Sequence, residues 1–123
     1  MTAARSRLPT NINAMMETEY KFGEVHDLAA QIESGTDRVH FKNLISTGNG
    51  GTALVAFKAG QKLETHVAPA NLMVYTLEGE IEFTVLDHPH DLSAGRFILV
   101  GKDVPHSVIA RTDAKMLLIK IKD

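Results

Sequence analysis

Leu72-Met73-Val74-Tyr75-Thr76-Leu77-Glu78-Gly79-Glu80 alternates with the period of a β-strand and ends on a hairpin tip. Leu72, Val74 and Thr76 fall on one face, Met73, Tyr75 and Leu77 on the other. Both faces are largely apolar, so both want cover. One small barrel can cover only one of them. The other requires a second copy of the chain or an N-terminal helix, and a homodimer through this outer face is expected.

The same rhythm extends in both directions. Ala59-Gly60, Glu78-Gly79, Pro89, Ala94-Gly95, Pro105 and Thr112-Asp113 separate short segments rich in Val, Ile, Leu and Phe. That punctuation is characteristic of an all-β sandwich or barrel and leaves no room for the helices of an α/β fold. Upstream, Val39, Phe41 and Ile45 share one parity, Gly48-Asn49-Gly50-Gly51 can make a hairpin, and Thr52 to Lys58 returns as a strand. In the last segment Leu117, Ile119 and Ile121 alternate with Met116, Leu118 and Lys120, so that strand becomes half exposed towards its end. Val25, Leu28, Ala29 and Ile32 recur at helical spacing, which predicts one short helix over 22–33 with Ser34-Gly35 as its stop. Residues 1–16 lack periodicity and are expected to be a flexible lead or a strand-swapping arm, leaving 17–123 as a single barrel domain.

Composition narrows the function classes. The chain has 123 residues, 44% of them hydrophobic and 23% charged, which suits one globular domain. Its net charge of -2 and the lack of any basic run argue against a nucleic-acid partner. With no cysteine, a metal site would have to use histidine, carboxylate or amide ligands. No apolar stretch is long enough for a secretory core or a bilayer span, so a cytoplasmic protein with no membrane partner is expected. The Gly48 to Gly51 glycines have no following helix to make an anion site, so they read as a hairpin.

Two segments carry a family resemblance. Gly60-Gln61-Lys62-Leu63-Glu64-Thr65-His66 with Val74-Tyr75-Thr76-Leu77-Glu78-Gly79-Glu80 is similar to the first signature of the cupin superfamily. Gly95-Arg96-Phe97-Ile98-Leu99-Val100 with Val104-Pro105-His106-Ser107-Val108 is similar to the second. The short stretch between Gly79 and Gly95 resembles compact, single-domain, RmlC-like cupins. The resemblance implies a double-stranded β-helix, the cupin jelly-roll barrel, and the short helix read from the spacing over 22–33 would stand ahead of it.

The resemblance also implies a pocket. Family metal sites use three histidines and a glutamate; by position His66 and His106 remain, while the second histidine position is Ala68 and the glutamate position is Leu72. The proline, glycine and closing asparagine of the second signature are Gly101, Asp103 and Ala110. His66, His106, Leu72, Ala68 and Glu64 are therefore the expected pocket residues, with His66 and His106 as candidate ligands for one divalent transition metal (Zn, Fe, Mn or Ni). Two imidazoles alone rarely hold such an ion, so a third ligand would have to be recruited. Glu64, two residues before His66, would share its face in an extended strand and is the first candidate, with His40 and His90 as alternatives.

The remaining histidines have plainer readings. His88 and His90 flank Pro89 in what reads as a turn, His26 falls on the polar side of the proposed helix, and His40 alternates with Val39 and Phe41. The leading expectation is a small-molecule-binding cupin without a metal. Alternatives are a metal-dependent dioxygenase or isomerase with an incomplete ligand set, and a metal-free epimerase with a histidine base. The last would need an acid such as Tyr75, whose parity puts it outside the barrel.

Overall fold

The computed structural model describes residues 16–123. The lead expected over 1–16 therefore lies outside the described residues, apart from Met16. Nine strands follow one another: β1 (His40–Thr47), β2 (Gly50–Phe57), β3 (Lys62–His66), β4 (Asn71–Glu78), β5 (Glu80–Val85), β6 (His88–Ser93), β7 (Phe97–Val100), β8 (His106–Ala110) and β9 (Ala114–Ile121). They form two antiparallel sheets, one ordered β1-β2-β9-β4-β7 and the other β3-β8-β5-β6. Among the described residues no helix is long and apolar enough to cross a membrane.

The period-2 pattern sorts side chains between two layers. Val55 and Phe57 on β2, Val74 on β4, Ile81 and Phe83 on β5 and Met116 on β9 are buried between the sheets. Burial of such side chains is the main favourable term in folding, about 1.5–3 kcal/mol for each large one. Thr76 is fully buried among them, and its hydroxyl donates to the Leu92 carbonyl at 3.1 Å, tying β4 of one sheet to β6 of the other.

The expected helix over 22–33 is not formed; only a single 3-10 turn, Leu28–Gln31, is present. Gly23 sits at φ +84, Asp27 makes no side-chain cap, and Ile32 is already extended. A short helix has too few bonds to offset its costly first turn without such support. The segment instead runs as a strap. Ile32 is buried against Leu54 and Ala56 on the outer face of the larger sheet, with Leu28 beside it, while Val25, assigned above to the apolar side of a helix, is 99% exposed.

Of two expected turns, the glycine hairpin is formed and the His88-Pro89-His90 turn is not. The β1–β2 hairpin turns at Gly48-Asn49, but the positive φ angles belong to Gly50 and Gly51 at the start of β2. A Cβ on Gly50 would collide with the Lys120 carbonyl oxygen, so glycine is required there by the close approach of β9. His88-Pro89-His90 is not a turn but the start of β6. The chain reverses at Leu86-Asp87, both with positive φ, as a two-residue hairpin demands. Proline is tolerated in β6 because it is an edge strand.

Candidate functional site

His66 and His106 close one end of the smaller sheet as direct cross-strand partners on β3 and β8. Leu63 pairs with Val108, so three residues on β3 span the distance covered by two on β8: a β-bulge lies between Leu63 and His66. This bulge turns both Leu63 and His66 inward and removes Glu64 from the face it was expected to share. Glu64 does not line the cavity; its carboxylate is exposed and pairs with Lys62 at 3.2 Å. Simple alternation fails here because the extra residue shifts the parity.

The two imidazoles are held alike. His66 Nδ1 donates to the Glu64 carbonyl at 2.7 Å and His106 Nδ1 to the Val104 carbonyl at 2.9 Å. A carbonyl only accepts, so each neutral ring carries its proton on Nδ1 and leaves Nε2 as an acceptor. The ring centroids are 4.3 Å apart, and Phe83 stacks on His106 at 5.7 Å. His66 is exposed at the mouth, whereas the His106 residue is only 4% exposed. Burial pushes the His106 pKa below 6.5; the Val104 bond opposes this, and the neighbouring His66 adds to the lowering.

These rings line a cavity of about 230 Å³ between the sheets. Its body is apolar: Phe41, Val55, Leu72, Val74, Phe83, Val108 and Met116, with Val67, Ala68 and Pro69 towards the mouth. Lys120 lines it from the opposite sheet, as the cross-strand partner of Leu72. No Asp or Glu contributes to the lining. The mouth is fixed by its loops: Asp103 N donates to the Ala68 carbonyl at 2.9 Å, and Lys102 N to Asn71 Oδ1 at 2.9 Å. Asp103 holds φ +63 where the resemblance has glycine, a conformation aspartate tolerates better than most residues.

Of the expected pocket residues, His66, His106, Leu72 and Ala68 are brought together and Glu64 is not. His40 is elsewhere, in a groove against the strap, where its Nδ1 meets the Glu33 carbonyl and its Nε2 meets Asp37 at 2.8 Å. Both partners accept, so the ring is held as an imidazolium, and the bond to Asp37 raises its pKa. His90, on β6, pairs with Phe83 on β5 and is exposed, outside the cavity lining. His26 is exposed and lies edge-on to Tyr20. Tyr75 is on the outer face of β4, opposite in parity to Leu72 and Val74.

A divalent metal does not fit this donor set. Among the described residues no group of three or more His, Asp or Glu is arranged to hold one. Two imidazoles face Ala68 and Leu72 instead of further ligands, and the cation in the lining is Lys120. Lys120 and Phe83 are the site residues the sequence reading missed. For Lys120 the signal was present, since it shares the parity of Met116 and Leu118 on β9.

A family model described as "Cupin domain" matches residues 53–121. The chain belongs to the cupin family. This cupin is similar to a solved cupin superfamily protein from Desulfitobacterium hafniense, with TM-score 0.79 and 22% identity over 89% of this chain and 100% of that one. It is also similar to a conserved protein of unknown function from Streptococcus pyogenes, with TM-score 0.78 and 24% identity over 85% and 91% of the two chains. A cupin 2 conserved barrel domain protein from Leptotrichia buccalis is 32% identical, with TM-score 0.75, over 79% of this chain and 47% of that one. No curated protein matches this cupin.

Proposed function

We propose that this cupin binds a small molecule in its barrel without a metal, the ligand resting on the apolar strands and meeting His66 and His106 at the mouth. The observation that carries the reading is the cavity lining: two imidazoles with Nε2 available as acceptors, an apolar wall, and no carboxylate to complete a metal site. An apolar recess with a few convergent polar groups is the usual form of a ligand site. At about 230 Å³ it is smaller than the ~300–1,000 Å³ typical of drug-sized ligands, which suits a molecule built on one ring or a short branched chain. An epimerase reading gains no support, because Tyr75 is on the outer face.

The test pairs elemental analysis with ligand screening. Purified protein dialysed against mixed divalent metals is expected to retain no stoichiometric ion, in either the wild type or a His66→Ala/His106→Ala variant. Small apolar fragments are expected to raise the melting temperature of the wild type but not of Ala68→Phe, which fills the cavity. Stoichiometric metal in the wild type that the double variant loses would overturn the metal-free reading.

The outer face of the larger sheet supports a second proposal, a homodimer. The strap's cluster takes in Leu54 and Ala56 on β2, Leu117 on β9 and Leu77 on β4 but not Tyr75 and Met73 on β4 or Phe97 and Leu99 on β7, the last two 55% and 67% exposed. A contiguous apolar face of this kind fits a second copy of the same sheet.

A further inference from the structure

The cavity is charged in one sense only. Its ionisable groups are His66, His106 and Lys120, and its lining contains no acid. Lys120 has no carboxylate within 4 Å among the described residues, unlike Lys42, Lys58, Lys62 and Lys115, each of which has an acidic partner. Its position is set by the sheet: it is directly across β9–β4 from Leu72, on the inner face, so it meets the cavity from the wall opposite the histidine pair. Phe41 and Val67, also in the lining, are 60% and 53% exposed, so part of the cavity's apolar surface remains uncovered.

Resting on the reading that the barrel binds a small molecule, we propose that its ligand is a small carboxylic acid with an apolar body, and that Lys120 is the residue that selects its charge. The hydrocarbon part covers Phe41 and the apolar wall, the carboxylate pairs with the Lys120 ammonium, and the Nε2 atoms that the backbone bonds leave free on His66 and His106 accept from any hydroxyl the ligand carries. A phosphate ester fits less well, since its three oxygens would find one ammonium and, at the two imidazoles, Nε2 acceptors that offer them no proton. An amine meets the like charge of Lys120 and no acid. Although the whole chain carries -2, the field at this mouth attracts anions.

Three probes of one size separate charge from shape: benzoate, benzyl alcohol and benzylamine, titrated into isotopically labelled full-length protein and followed by amide chemical shifts. Benzoate is expected to bind most tightly, with shifts centred on residues 66–69, 106 and 120, and to weaken as salt is raised. Lys120→Met is expected to weaken benzoate about fivefold, the weight of a partly hydrated ion pair, and to leave benzyl alcohol unchanged. Lys120→Arg should retain the preference and Lys120→Glu should transfer it to benzylamine. Lys21→Met, which makes the same net-charge change away from the cavity, should have no effect. If benzyl alcohol binds as well as benzoate at this site, or Lys120→Met weakens both equally while its melting temperature is unchanged, the charge assignment falls and the small-molecule reading stands. If none of the three perturbs the cavity residues at millimolar concentration, both fall.

Discussion

His66 and His106 face each other across β3 and β8 with their ring centroids 4.3 Å apart, one exposed and one buried. Their proximity makes protonation of the pair costly, and burial makes it costlier at His106. His106 is therefore expected to titrate below 6.5, and His66→Gln should raise its midpoint without restoring the ordinary value, because burial is the larger cause. Histidine NMR titration reads both. A wild-type midpoint at or above 6.5 would mean that the ring is hydrated rather than buried.

The same lowering has a consequence for stability. Between its lowered folded pKa and 6.5 the unfolded chain binds a proton at His106 that the folded chain does not. The unfolding free energy should accordingly fall as pH drops from 6.5 towards the folded midpoint, and this contribution should be flat above about 7.5. His40 works in the opposite sense: Asp37 raises its pKa, so its contribution is complete below 6.5 and is lost as pH rises through the folded midpoint. Urea unfolding of wild type and His106→Gln from pH 5 to 7 isolates the first effect. Parallel pH profiles for the two proteins would contradict it.

Gly50 is where β2 passes closest to β9. At φ +144, with the Lys120 carbonyl in the way of any added Cβ, alanine is both strained and in collision with backbone. Gly50→Ala should cost about 3 kcal/mol or more, since β9 must move to admit it. Gly101→Ala, whose Cβ would meet only the Val104 Cγ2 at 3.4 Å, should stay within about 1 kcal/mol of wild type. Equilibrium denaturation compares them, and equal costs would show that the β2–β9 approach is looser than drawn.

The strand rhythm and the inward face of β4 were legible because period 2 is local: Leu72, Val74 and Thr76 need only their neighbours to reveal their side. His66 and His106 were legible through the spacing of two glycine-flanked segments. Glu64 was not, because a bulge is set by pairing with β8, which no local pattern encodes. The helix over 22–33 failed for a related reason. Leu28 and Ile32 have helical spacing, yet their burial comes from lying across Leu54 and Ala56. Lys120 does stand in the exposed end of β9, as the pattern suggested, and its parity with Met116 and Leu118 gave its face; that this face meets the histidines depends on the closure of the barrel, which no local pattern encodes.

The outer face of β4 and β7 gives the last prediction. Phe97 pairs with Tyr75 and Leu99 with Met73, so four apolar side chains stand together on the part of the outer face that lies outside the strap's cluster. Interface cores of homodimers are apolar and poor in charge, and this patch has that composition. Sedimentation equilibrium at micromolar concentration is expected to give a dimer for the wild type. Phe97→Lys/Leu99→Lys should give a monomer, because burying two ammonium groups against their own copies is unfavourable. Both positions are exposed in the single chain, so the variant should keep its fold and the ligand-induced thermal shift of the cavity. A wild type that sediments as a monomer across that range would remove the homodimer, and the apolar face would then need another occupant.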